Sequence, residues 1–186
     1  LGIGITDSVV EVASVLESLD NEGYNIRFHI QTPTKEPIIL SRLKKFNNVV
    51  INPFADIKDI PGIFSNADIL VLANDFSKEG LDYLKFSMPT KASEYMISGT
   101  PILVYSPEET AVSRFFTQNE CGLVVPRHDR EELLKAFRFI IGNKEYQEKI
   151  SRNAVRYAMD KFDAKKVRGE FQNLINQLSK NNKNVF

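Results

Sequence analysis

Three short apolar runs, ADILVLA (Ala67–Ala73), TPILVY (Thr100–Tyr105) and CGLVV (Cys121–Val125), limit the folds open to this chain more than any other feature. An apolar run bounded by polar residues is the pattern of a strand covered on both faces, and such strands belong to parallel sheets flanked by helices. Helical periods fill the intervals. Lys91–Ile97, Glu109–Phe116 and Glu131–Ile141 each place apolar residues on one side, the last through Leu133, Leu134, Phe137, Ile140 and Ile141. Alternating strands and helices predict an α/β, doubly wound, Rossmann-like parallel sheet.

The amino-terminal part follows the same rule. LGIGITDS reads as lying inside or beside a strand, and its abrupt opening suggests a piece of a longer protein. Val9, Val12, Ala13, Leu16 and Leu19 predict a helix over Ser8–Leu19, stopped by the glycine of NEGYN. IRFHI (Ile26–Ile30) and VVI (Val49–Ile51) read as strands, with a short helix at Leu40–Phe46 and another over Asp56–Asn66 carrying Pro61 near its first turn. Towards the end, Tyr146, Ile150, Ala154, Tyr157 and Ala158 form one helical stripe. Val167, Phe171, Leu174, Ile175 and Leu178 form another, and both are expected to pack around the sheet. With 186 residues, one domain over 1–179 and a flexible tail over 180–186 are expected.

Composition narrows the partners. The 24 basic residues balance the 24 acidic ones, which removes the electrostatic case for nucleic acid and favours a small-molecule partner. Cys121 is the sole cysteine, so an internal disulfide and a thiolate zinc site are excluded and a reducing, cytoplasmic location is expected. The basic residues Lys161, Lys165, Lys166 and Arg168 read as a solvated helix face.

Ligands of a doubly wound sheet gather beyond the carboxyl ends of its strands. There, NDFSKEGLDYLKFSMP follows ADILVLA as a connection far longer than the usual 2 to 6 or so residues. It ends in PTK, where Pro89 disfavours helix at Met88 and Thr90 is placed to cap a new helix. The first amides of that helix, its dipole and Lys91 would together form an anion site suited to phosphate. Glu94, three residues on, can accept hydrogen bonds from a diol such as ribose. The blander alternative is a Lys91–Glu94 pair on the surface of an ordinary helix. His128 in PRHDREE reads as part of a helix-entry turn capped by Asp129, and Cys121 as a packing residue.

PTKASEYMISGTPILVY, then ECGLVVPRHDREELLKAF, then NAVRYAMDKFD, resembles the carboxyl-terminal domain of family 4 glycosyltransferases of the GT-B fold. The likeness covers most of the chain and is specific over Phe86–Val125. It implies a domain that binds a nucleoside diphosphate sugar, an absent amino-terminal domain that binds the acceptor, and reaction in the cleft between them. The implied acceptor is a hydroxyl of a glycan or lipid-linked glycan, in polysaccharide or glycoconjugate biosynthesis.

Carried over by position, Glu94 matches the family's second conserved glutamate, on the ribose. The segment Phe86, Ser87, Met88, Pro89, Thr90 and Lys91 would border the donor, with Met88–Lys91 cradling the diphosphate and Lys91 offsetting leaving-group charge. Pro53 and Phe54, within the loop Asn52–Ile57, would hold the base, and Asn74 and Asp75 would border the same cleft. Lys91 and Glu94 are the expected catalytic residues.

Two departures stand out. Phe86 occupies the place of the family's first glutamate, and GITDSVV after the first strand lacks the basic residues common there, leaving Lys78 and Lys85 as substitutes. The resemblance further implies a hexosyl transfer that retains anomeric configuration, with no cofactor beyond the donor substrate. No Asp-x-Asp pair offers a divalent-metal clamp, so metal independence is expected. For the full-length protein, attachment at the inner membrane face is an alternative to a purely cytoplasmic location, and the isolated domain is expected to be inactive. The competing readings are a degenerate nucleotide-sugar-binding or interaction domain and a nucleotide-sugar epimerase.

Overall fold

The computed structural model describes residues 5–182, with side chains through Leu178. The strand expected in LGIGITDS falls largely on residues 1–4, outside the described residues. Helix α1 (Thr6–Leu19) buries Val9, Val12, Ala13, Val15, Leu16 and Leu19. It ends in a wide turn over Asp20–Tyr24, where Gly23 adopts φ 97° and Asn25 φ 52°. Asp20 stabilises this exit by accepting from the Ile26 amide at 2.7 Å.

Strand β1 (Phe28–Gln31), helix α2 (Pro37–Leu43) and strand β2 (Val49–Asn52) follow. The two strands pair in parallel with Phe28 opposite Val49. Helix α3 (Ile60–Ser65), with Pro61 in its first turn, leads into β3 (Leu70–Ala73). Helix α4 (Lys78–Leu84), helix α5 (Lys91–Ser98), β4 (Ile102–Tyr105), helix α6 (Ala111–Gln118) and β5 (Leu123–Val125) complete the centre. Strands β3, β4 and β5 pair in parallel and in that order. Helices α7 (Arg130–Gly142), α8 (Lys144–Lys161) and α9 (Ala164–Asn182) close the chain.

The α/β architecture and its parallel strands agree with the sequence pattern, arranged as two small sheets among the described residues. Helices α1 and α7 cover one face of β4, where Leu103 and Tyr105 meet Leu16, Leu133 and Phe137. Helices α5, α6 and α8 cover the other, where Ile102 and Val104 meet Met96, Phe116 and Ala154. The apolar residues of α1 also reach β1, since Val9 and Ala13 share a cluster with Ile30 and Ala73. Every side chain of β4 is buried, as its uninterrupted apolar run requires.

Two expectations are corrected. The connection after β3 is not an overlong loop: it contains α4, whose first turn is capped by Ser77 accepting from the Gly80 amide at 3.0 Å. Glycine inside so short a helical pattern hides it, and the space at Gly80 is tight: a Cβ there would lie 3.0 Å from Ser77 Oγ and 3.2 Å from Asp75 Cβ. Second, the stripe Val167, Phe171, Leu174, Ile175 and Leu178 does not pack on the sheet; all five are exposed. The stripe on α8 does pack, burying Ile150, Ala154 and Ala158. Helix α9 extends to Asn182, through the first residues assigned to a tail, and 183–186 lie outside the described residues.

Candidate functional site

The carboxyl edge of β3, β4 and β5 gathers four connections: the β3–α4 loop, the α4–α5 turn, the β4–α6 loop and the β5–α7 loop. At its centre α5 begins. The Ala92 amide donates to the Pro89 carbonyl at 2.9 Å, so the helical turn closes on Pro89. Thr90 already has helical torsions (φ −56°, ψ −37°), and its hydroxyl makes no capping bond, contrary to the expectation that it caps the helix. Proline in the preceding position fixes the entry instead, and the Thr90 carbonyl accepts from Ser93 Oγ at 3.0 Å. The helix ends at Gly99, whose φ of 78° makes the left-handed exit that a glycine takes without strain.

Ala92 and Met96 anchor α5 against the core. Lys91 is half-buried, and loss of solvation pulls its pKa below the ordinary lysine value. Among the described residues it has no hydrogen-bond or ion-pair partner, and neither has Glu94, which is exposed. The surface-pair alternative is therefore excluded: the two side chains stand one turn apart without bridging. A partly desolvated, uncompensated ammonium in the first turn of a helix favours a bound anion through both its own charge and the helix dipole.

The other expected site residues separate into two sets. Phe86, Ser87 and Thr90 are exposed and Met88 and Pro89 half-buried, with Met88 packing into the cluster beneath α5. Pro53 and Phe54 are exposed in the loop after β2. Asn74 and Asp75, by contrast, are buried and face inward. Asn74 Nδ2 donates to Ser106 Oγ at 3.0 Å, its carbonyl accepts from Ser8 Oγ at 2.9 Å, and Ser106 Oγ lies 2.8 Å from Thr110 Oγ1. Asp75 Oδ1 accepts from the Ser8 amide at 2.8 Å. Helix α1 has no local side-chain cap, so a carboxylate 67 residues away supplies one. Burial raises the pKa of Asp75 above the usual carboxylate value, outweighing the bonds from Ser8. Asn74 and Asp75, expected to border the cleft, are buried and bonded to Ser8 and Ser106 within this edge.

The same bond places a carboxylate at the positive end of the α1 dipole. Lys78 and Lys85, the suggested substitutes, are exposed, and Lys85 Nζ lies 5.7 Å from the Phe86 ring centroid.

A further cluster was not anticipated. Glu11 on α1 accepts from Tyr105 Oη at 2.7 Å and pairs with His128 Nε2 at 2.9 Å. Phe76 stacks on His128, with centroids 5.2 Å apart and planes 11° off parallel, and also touches Tyr105. Asp129 caps α7 as expected, accepting from the Glu131 and Glu132 amides. His128 lies in that turn as expected and also ties the β5–α7 loop to α1. Cys121 packs beneath α6 and burial pushes its thiol pKa up to about 12. Among the described residues no group of acidic, histidine and cysteine side chains is arranged to hold a metal ion, and no helix is long and apolar enough to cross a membrane.

A family model for glycosyl transferases group 1 matches residues 8–157. No curated protein sequence matches the chain. Among solved structures, a glycosyltransferase from Rickettsia africae ESF-5 superposes with a TM-score of 0.72 at 15% identity, covering 94% of this chain and 45% of that one. Alr3699/HepE from Anabaena, solved in complex with UDP-glucose, gives a TM-score of 0.69 at 14% identity, covering 90% of this chain and 44% of that one. The C-terminal domain of the group 1 glycosyl transferase LpcC from Francisella tularensis gives 0.65 at 16% identity, covering 86% of this chain and 81% of that domain. Identities this low establish a shared fold. The chain spans less than half of the Rickettsia and Anabaena proteins and most of the separate LpcC domain.

Proposed function

Because this chain belongs to the glycosyl transferases group 1 family and has the fold of the carboxyl-terminal domain of a GT-B glycosyltransferase, we propose that it binds a nucleoside diphosphate sugar and supplies the donor half of a sugar transfer. The observation that carries this reading is Lys91, half-buried and without a partner among the described residues, in the first turn of α5 with unpaired Glu94 one turn on.

In the proposed mechanism the diphosphate lies against the Met88–Lys91 backbone, with Lys91 beside its oxygens and Glu94 accepting from the ribose hydroxyls. Phe54 and Pro53 border the base. As the sugar–oxygen bond breaks, negative charge grows on the departing diphosphate. A fixed ammonium and oriented amides in a partly desolvated cleft stabilise that charge more than they stabilise the ground state. Lys91 therefore acts on the leaving group, and Glu94 fixes the nucleotide so that the charge develops at Lys91. The acceptor, a hydroxyl on a glycan or lipid-linked glycan, is delivered by an amino-terminal domain outside this chain, and the anomeric configuration is retained. Hexosyl transfer, independence of divalent metal and a cytoplasmic or inner-membrane-face location belong to the same proposal.

A second reading, recognition of a nucleotide sugar without turnover, is favoured by Phe86 at the sugar side and by the closure of the α1 terminus by Asp75. The deciding experiment incubates the full-length protein with donor and acceptor panels, with and without EDTA. Glycosylated product in both conditions supports metal-independent transfer. Product lost with EDTA removes the metal independence, and donor binding without product in either condition selects the second reading.

A further inference from the structure

A cavity of about 560 Å³ opens between the start of α5 and helix α9, within the range of about 300–1,000 Å³ typical of small-molecule clefts. Met88, Pro89 and Thr90 line it on one side, and Phe162, Val167, Arg168 and Phe171 on the other. Its walls are anchored: the Phe162 ring lies 5.7 Å from Tyr157 and 6.1 Å from Phe115, centroid to centroid, and Met88 packs into the same cluster as those two rings. The apolar surface continues out of the cavity along α9, where Leu174, Ile175 and Leu178 follow Val167 and Phe171 on one exposed stripe. At 1.5 Å per helical residue, the track from Val167 to Leu178 runs about 16 Å. Two polar groups at the cavity, the Arg168 guanidinium and the Thr90 hydroxyl, have no partner among the described residues. The acids flanking α9 are engaged elsewhere, Asp163 with the Lys165 and Lys166 amides and Asp160 with the Lys161 and Lys166 ammonium groups.

We propose that this cavity binds an amphiphile made of one extended apolar chain and an anionic head group, with the head at Arg168 and Thr90 and the chain on Phe162, Val167 and Phe171 and outward along α9. A linear apolar track suits a chain, because each further methylene meets a further side chain and, fully buried, tightens binding by about fourfold. An unpaired guanidinium selects the anion, and its planar fork matches phosphate. Met88, Pro89 and Thr90 also belong to the turn assigned above to the diphosphate, so the head group stands beside the donor, where a lipid-linked acceptor has to be presented. That consequence rests on the donor-site reading; the binding itself does not.

The test is a calorimetric titration of this chain with decyl phosphate below its micelle concentration, with decanol and decyltrimethylammonium as comparisons of the same chain length. Decyl phosphate is expected to bind in a single-site isotherm, at least about tenfold more tightly than either comparison, as a charge-assisted contact requires. Arg168→Gln should remove that advantage, and Phe171→Ala should weaken decyl phosphate at least about fourfold, the factor for one buried methylene. Melting temperatures show that both variants fold. Equal affinity for the three decyl compounds, unchanged affinity for decyl phosphate in Arg168→Gln, or no binding of decyl phosphate overturns the proposal. In the last case, attachment of the chain to phosphatidylglycerol vesicles assigns the α9 stripe to a bilayer surface, and a dimer in solution that Phe171→Ala dissociates assigns it to a second copy. A nucleoside diphosphate that binds where decyl phosphate does not leaves the donor-site reading standing, whereas decyl phosphate bound by a chain that binds no nucleoside diphosphate removes only the link to an acceptor.

Discussion

The Ser8 amide at the start of α1 donates to Asp75 Oδ1 at the end of β3, at 2.8 Å. This bond ties the first helix to the carboxyl edge and places a buried carboxylate where the dipole of α1 is positive. Asp75→Ala should cost about 1 kcal/mol through loss of the cap, and more where Ser8 finds no water to replace it. Asp75→Asn keeps an accepting oxygen and should cost less than Asp75→Ala in urea denaturation at neutral pH.

The same residue gives a pH prediction. Its pKa is raised on folding above the ordinary 3.8, so the folded state holds the proton over a window in which the unfolded chain has released it. Asp75 therefore lowers stability progressively as pH rises from about 3.8 through the raised folded-state value. Urea midpoints measured across this window should fall less steeply in Asp75→Asn than in the wild type. Identical slopes in the two proteins would sink the assignment.

Glu11 satisfies the hydroxyl of Tyr105, a residue with 0% exposure, and bonds His128 at the surface. Glu11→Ala leaves that hydroxyl without its partner and should cost about 1–3 kcal/mol. Adding Tyr105→Phe removes the stranded hydroxyl, so the double variant should be less destabilised than the sum of the two single changes. Strict additivity in a double-mutant cycle would mean that the bond contributes nothing.

Gly122 lies where a Cβ would come 2.8 Å from Phe116 Cδ1 and 3.0 Å from the Ile102 carbonyl oxygen. Gly122→Ala should cost about 1–3 kcal/mol by overpacking between β4 and α6. A smaller loss in the background Phe116→Leu, read by thermal denaturation, would identify the ring as the obstacle.

How far these features can be read from sequence depends on their range. The strands from Leu70, Ile102 and Leu123 and the helix from Arg130 follow from local periodicity, because burial on two faces or one writes itself directly into the residue order. The start of α5 just after Pro89 was legible from the local restriction that proline imposes. Helix α4 was hidden by Gly80, a weak helix former that stands close to Ser77 and Asp75 at the helix entry. The inward roles of Asn74 and Asp75 depend on Ser8 and Ser106, far along the chain, and no spacing rule reaches that distance. In α9 the period located an apolar face through Val167, Phe171 and Leu178, but a period does not say what covers it.

The central claim is that Lys91 and Glu94 hold a nucleoside diphosphate, and the most direct measurement is the calorimetric affinity of UDP, ADP, GDP and dTDP for the wild type, Lys91→Ala and Glu94→Ala. At least one diphosphate should bind the wild type. Lys91→Ala should weaken it about tenfold or more, as expected when a charge-assisted contact to phosphate is lost, and Glu94→Ala should weaken it through the ribose while both variants keep their melting temperatures. A diphosphate bound with unchanged affinity by both variants would contradict the account and place the nucleotide elsewhere on the domain.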